Sequence, residues 1–280
     1  MRFLWALLIA ATGASTSHDA AESMAVQPGG ASHEGSPGAY RVRSTIAELR
    51  IDRASRVPEA APRREIEGNC GERFPAPTTN MGREIARRGW RVTSEAHAGN
   101  HVAIGYVRGL LHVPIALCLA VDGHVAIVER GRLVAIVSAE RIDPTNGHDP
   151  DGGIPSGLIG YVIKVPGSGN FRITETTGLG APLAEIRIGP NEINVGPLAP
   201  RDSFCGGRVL IPNIYDRSMV SASRILRREG WRPVHARPRL EDCQMMGLGF
   251  CEFRYRRGHQ SLEITTDNDQ HHVVAYEPRC

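Results

Sequence analysis

"ARRGWRV" runs from Ala86 to Val92, and "RREGWRPV" runs from Arg227 to Val234. A phrase that occurs twice is either a doubled active site or a doubled structural corner. Helix-capping rules favour the corner. With helices ending at Arg88 and Glu229, Gly89 and Gly230 fall where the backbone turns left-handed and glycine carries no Cβ penalty. The residues that follow, Trp90 and Trp231, then meet Ile85 and Leu226, the hydrophobic contact of a Schellman ending. Arg87, Arg88, Arg227 and Arg228 lie at the negative end of the helix dipole. Each residue of the phrase has a structural task, and none is left over for catalysis.

Working outward, each phrase is preceded by Cys-Gly, in "CGERFPAP" at Cys70 and "CGGRVLIP" at Cys205, and by a helix-like run. The first run spans Met81 to Arg88. The second spans about Arg217 to Glu229, with Met219, Ala222 and Leu226 on one stripe. Strand-like segments follow each phrase. After Trp90 come "HVAIGYV", "VPIALCLAV", "HVAIVER" and "RLVAIVSA", with Asp122-Gly123 and Arg130-Gly131 read as hairpin turns. After Trp231 come "CEFRYRR", "SLEITTD" and "HVVAYEP", an antiparallel meander turning at Gly258-His259 and at the Asp267–Gln270 tip. Shorter strands from Ile159 to Val195 lie between. The predicted fold is α+β: two small, tandem-related helix-plus-antiparallel-sheet units with a β-rich connection. The boundaries are 68–200 for the amino-terminal unit with its connection and 201–280 for the carboxy-terminal unit.

The chain has 280 residues, 41% of them hydrophobic, and a formal net charge of +3. That charge does not point to nucleic acid. "MRFLWALLIAATGASTS" has a positive start, a short apolar run and small residues, so residues 1–17 read as a signal peptide. No run is long and apolar enough for a membrane span. The expected location is therefore periplasmic or secreted. Residues 18–67, rich in Ala, Gly, Ser, Pro and charge, read as a disordered linker, with "TIAELRI" as a short helix or docking segment. An even count of six cysteines in an exported chain reads as disulfides. The proposed framework joins Cys243 to Cys251, Cys205 to Cys280, and Cys70 to Cys118, the last being the weakest because Cys118 lies within an apolar strand.

Two segments carry metal-ligand chemistry. "IDPTNGHDPDGGIP" offers Asp149 and Asp151 at alternating positions, as calcium loops do, but Gly147 stands where a third carboxylate belongs. "TTDNDQHH" gathers Asp267, Asp269, His271 and His272, with His259 within reach from the neighbouring hairpin. Adjacent strand residues point to opposite faces, so His271 and His272 do not share an ion. Both segments read first as solvated turns, and neither a metal nor a cofactor is expected. No GxSxG elbow or phosphate loop is present. His97, His101, His112 and His124 read as strand residues. Period-two alternation puts Arg254 and Arg256 on one side of their strand and Phe253 and Tyr255 on the other, a possible binding face for an anionic partner.

The last quarter, "GWRPV…DCQMMGLGFCEFRY…LEITT…VVAYEPRC", resembles small exported bacterial domains of unknown function. Those share a Gly-Trp after a helix, a short Cys–Gly-rich–Cys segment and a terminal Cys. The resemblance implies an exported α+β module and carries no catalytic residue. Tandem helix-on-sheet units also bring secreted enzyme inhibitors to mind, by fold analogy alone. The expected function is thus non-catalytic binding of a protein or envelope ligand. The alternative is a periplasmic or secreted hydrolase, with or without a metal, built on the Asp267–His272 tip or the Asp149/Asp151 loop.

Overall fold

Short runs rich in Val, Ile and Leu, broken by Gly and Asp, form strands along most of the chain. The structure is a computed structural model that describes residues 40–61, 74–113, 117–139, 159–174, 180–235, 250–267 and 272–279. The chain opens with β1 (Arg41–Ser44) and β2 (Leu49–Arg53), followed by helix α1 (Asn80–Arg87). Six strands come next: β3 (Arg91–Ala98), β4 (His101–Val107), β5 (Gly109–Val113), β6 (Leu117–Val121), β7 (His124–Glu129) and β8 (Arg132–Ala139). Then come β9 (Tyr161–Lys164), β10 (Phe171–Thr174), β11 (Pro182–Ile188) and β12 (Glu192–Gly196). The carboxy-terminal part holds β13 (Arg201–Phe204), β14 (Val209–Pro212), helix α2 (Met219–Arg228), β15 (Arg232–Pro233), β16 (Phe250–Arg257), β17 (Gln260–Asp267) and β18 (Val273–Arg279).

Two five-stranded sheets face each other. One has the order β1-β12-β11-β10-β9 and the other β2-β8-β7-β4-β3. Phe171, Ile173, Ile186 and Ile193 of the first interleave with Leu49, Ile51, Val125 and Ile127 of the second in one continuous core. The sheets meet at their edges, with β9 beside β3 and β1 beside β2. At the β9 edge the Val162 N–H donates to Ser94 Oγ at 2.8 Å, and the Thr93 hydroxyl donates to the Gly160 carbonyl. Gly123 makes this approach possible, since a Cβ there would collide with the Ile159 carbonyl. The far face of the second sheet carries α1, with Ile85, Trp90, Val92, Ile104 and Tyr106 buried together.

A third layer packs beyond the first sheet. Its four strands run in the order β15-β16-β17-β18, an antiparallel meander. Helix α2 lays Met219, Ala222 and Leu226 on it, and Trp231 is fully buried among Tyr255, Leu262 and Ile264. The β13-β14 ribbon completes this core with Phe204, Val209 and Ile211.

Both Gly-Trp corners take the form that capping rules require. The Trp90 N–H donates to the Ile85 carbonyl at 3.4 Å and the Gly89 N–H to Ala86 at 3.0 Å. In the second copy, Trp231 donates to Leu226 at 3.0 Å and Gly230 to Arg227 at 3.1 Å. Gly89 and Gly230 have φ of 88° and 85°, the left-handed turn of a Schellman ending.

Three expectations are corrected. The fold is β-rich, with eighteen strands and two α-helices among the described residues, and not two α+β units. The helices hold only eight and ten residues, and the segment read as a connection supplies four of the five strands of one sheet. Residues 40–61, read as linker, carry β1 and β2. Leu49 and Ile51 alternate with exposed Arg50 and Asp52, which is the pattern of a half-buried strand, and β2 pairs with β8. Asp122-Gly123 is not a hairpin turn, because β6 pairs with β5, and β7 pairs with β4 and β8. The Arg130-Gly131 and Gly258-His259 turns do join paired strands.

Candidate functional site

The β15–β18 sheet buries one face and leaves the other open. Cys251 and Tyr255 point inward on β16, while Glu252, Arg254 and Arg256 point outward, as alternation demands. The strand register arranges the outward residues in rows. One row reads Arg232, Arg256, Ser261, Arg279, and the next reads Arg254, Glu263, Glu277. A third reads Glu252, Thr265, Ala275.

The middle row is compensated. Arg254 Nε lies 3.3 Å from Glu263 Oε1, and Arg279 reaches the same carboxylate at 2.8 Å. Glu252 adds a longer contact to Arg254 at 3.9 Å. Arg232 and Arg256 differ. They sit directly opposite each other, both exposed, and neither has an acidic partner among the described residues.

The third row runs into a cleft of about 230 Å³ between this sheet and the outer face of the β9–β12 sheet. Thr265 and Ala275 form one wall, and Ile163 and Pro182 form the other. Phe250 and Val274 add apolar surface, while Thr174 and Tyr215 bring hydroxyl-bearing side chains. Ile163 is 43% exposed. The buried Thr174 hydroxyl oxygen finds no hydrogen-bond partner among the described residues.

A buried polar cluster braces the cleft from behind. Arg172 forms a two-pronged pair with Asp202, with Nη1 at 2.9 Å from Oδ2 and Nη2 on Oδ1. The Tyr276 hydroxyl donates to the same carboxylate at 2.7 Å. Arg172 Nη1 also reaches the Tyr215 hydroxyl at 3.4 Å, and Glu185 lies 3.6 Å from Nη2. The Arg172 guanidinium and the Tyr215 and Tyr276 hydroxyls all keep their protons. Burial works against the Arg172 charge, but the Asp202 carboxylate overcomes it and holds the guanidinium above its usual range. Burial pushes the Tyr215 hydroxyl up to about 12, against the opposing pull of Arg172. Burial likewise raises Tyr276, and the neighbouring Asp202 carboxylate reinforces it. None of the three exchanges a proton near neutral pH.

The other residues singled out by sequence are dispersed. Asp267 accepts the His272 N–H at 2.8 Å, closing its own turn. His272 Nδ1 lies 3.5 Å from Asp216 Oδ1. His259 stands at the opposite end of β17, about 25 Å away at strand rise, so it does not join the tip. His101 bonds with Tyr40 at 3.1 Å, and His124 with Ser138 at 3.0 Å while stacking on Tyr106. Asp149, Asp151, Asp269 and His271 lie outside the described residues. Among the described residues no group of three His, Cys, Asp or Glu side chains is placed to hold a metal ion. Cys205 and Cys251 are disulfide-bonded, and no disulfide has both halves among the described residues. Cys70, Cys118, Cys243 and Cys280 have no described side chains.

Sequence reasoning placed Arg254 and Arg256 on the open face but missed Arg232. The two-residue strand β15 has no periodicity to read, and its register comes from pairing with β16. It also missed Arg172 and Asp202, which are 30 residues apart and carry no local signature. No helix among the described residues is long and apolar enough to cross a membrane. No protein-family model, curated protein or solved structure matches the chain.

Proposed function

We propose that the chain is an exported, non-catalytic binding module that holds its partner on the open face of the β15–β18 sheet. One observation carries the reading. An apolar cleft and an uncompensated arginine pair occupy two ends of the same sheet face. Thr265 lines the cleft and Ser261 stands in the arginine row. They lie four positions apart on β17, about 13 Å at strand rise. The matching partner is a protein segment or envelope ligand with an apolar group and an anionic group about that far apart. The cleft is smaller than the roughly 300–1,000 Å³ of drug-sized sites, which suits one bulky side chain or a fragment of similar size. The locked protonation of Arg172, Tyr215 and Tyr276 suits a rigid support and offers no general acid or base.

The test uses the immobilised chain to capture partners from envelope extract and culture supernatant. Ala275→Arg obstructs the cleft, and Arg256→Glu reverses the charge at the other end. The expected result is one retained species that both variants lose and that Arg43→Gln, on a different sheet, keeps. Retention indifferent to both face variants overturns the proposal.

A further inference from the structure

We infer that the Arg232–Arg256 pair is an oxyanion site, built for a phosphate or sulfate group. The inference rests on the open-face reading above and names the chemistry at one end of that face. Residues directly opposite across an antiparallel pair hold their Cβ atoms about 5 Å apart, where like charges repel. Arg254 and Arg279 share the Glu263 carboxylate, but Arg232 and Arg256 face each other with no acidic partner among the described residues.

The backbone beneath the pair is rigid. Arg232 follows the fully buried Trp231 and precedes Pro233, whose ring fixes φ. The Val234 N–H donates to the Arg254 carbonyl at 2.8 Å, which pins the end of the short strand. On β16 the next residue, Arg257, turns inward. Its guanidinium lies 4.6 Å from the Trp231 ring and donates to Gln260 and to the Glu229 carbonyl. Alternation then leaves Arg256 on the open side. Ser261, opposite Arg256 in the same row, adds a hydroxyl.

The row therefore offers two guanidinium forks and a hydroxyl. One fork suffices for a planar carboxylate, which it meets in two parallel bonds. Two forks set across a strand gap bracket a group with acceptor oxygens on several sides, and a tetrahedral oxyanion has that shape. The phosphate can be free or part of a lipid headgroup, and the chemistry recognised is the same.

The experiment titrates inorganic phosphate into the isotopically labelled chain and follows the arginine Nε–H signals by NMR. Saturable shifts are expected at Arg232 and Arg256. The Arg256→Glu variant should bind about tenfold more weakly or worse, with Arg232→Gln intermediate and Arg43→Gln unchanged. Near-UV circular dichroism confirms that each variant is folded, and Arg232→Gln serves if Arg256→Glu is not. Sedimentation with phosphatidylglycerol vesicles against phosphatidylcholine vesicles separates the sources. Retention by the anionic vesicles alone assigns a headgroup, and phosphate binding without retention assigns a soluble ligand. Absence of saturable shifts, or equal shifts in Arg256→Glu, overturns the site. A capture experiment in which the face variants still lose a partner leaves the binding face standing and removes only the oxyanion. Normal phosphate binding with indifferent capture does the reverse.

Discussion

Arg172 on β10 and Asp202 on β13 join the central sheet to the carboxy-terminal layer through two buried hydrogen bonds. Their side chains are 1% and 0% exposed. Removing one partner leaves the other as an uncompensated buried charge, which costs far more than the pair contributes. Asp202→Ala is therefore expected to lower stability by about 3–5 kcal/mol in urea denaturation. Tyr276→Phe removes only one donor to that carboxylate and should cost about 1–2 kcal/mol. A loss below about 1 kcal/mol for Asp202→Ala would show that the joint carries little.

The two Gly-Trp corners make a paired prediction. Gly89→Ala and Gly230→Ala place a side chain at φ of 88° and 85°, at a cost of about 1–3 kcal/mol each. Gly89→Ala should be the worse of the two. Its Cβ would stand 3.3 Å from the Ala60 Cβ, whereas at Gly230 the nearest atom is 3.7 Å away on the long Arg257 side chain. Thermal denaturation of both variants checks the order as well as the size.

Glu95 links stability to pH. Its carboxylate accepts the Thr78 N–H at 2.8 Å, the Thr79 hydroxyl at 2.6 Å, the Thr78 hydroxyl and the Thr79 N–H. Burial opposes the charge, yet these donors hold the carboxyl below its ordinary value of 4.5. A pKa lower in the folded state than in the unfolded one gives stability that is fully present above 4.5 and is lost as pH falls through the folded value. Glu95→Gln should weaken the chain at neutral pH by about 1–3 kcal/mol and flatten this acid limb. An unchanged slope below pH 4.5 would remove Glu95 as its cause.

Non-reducing peptide mapping should place Cys205 with Cys280 and Cys251 with Cys243, with Cys70 joined to Cys118. A Cys205–Cys243 or Cys251–Cys280 peptide would refute this framework. An alkylatable Cys118 would remove its third bridge.

By itself the sequence determined what local rules control. The Schellman corners at Gly89 and Gly230 follow from short-range sterics and one hydrophobic contact each, so capping rules place them to the residue. The outward pair Arg254 and Arg256 follows from the two-residue period of a strand, and the buried stripe Met219, Ala222, Leu226 from the helical period. Tertiary structure decided everything that depends on which strands meet. Residues 41–53 look like linker because their few apolar residues bury nothing alone, and they become strands only when β12 and β8 offer an edge. The β9–β12 segment reads as a connection until its inner face finds the other sheet. Arg232 faces Arg256, and Arg172 reaches Asp202, because non-local pairing fixes register, and no spacing along the chain encodes it.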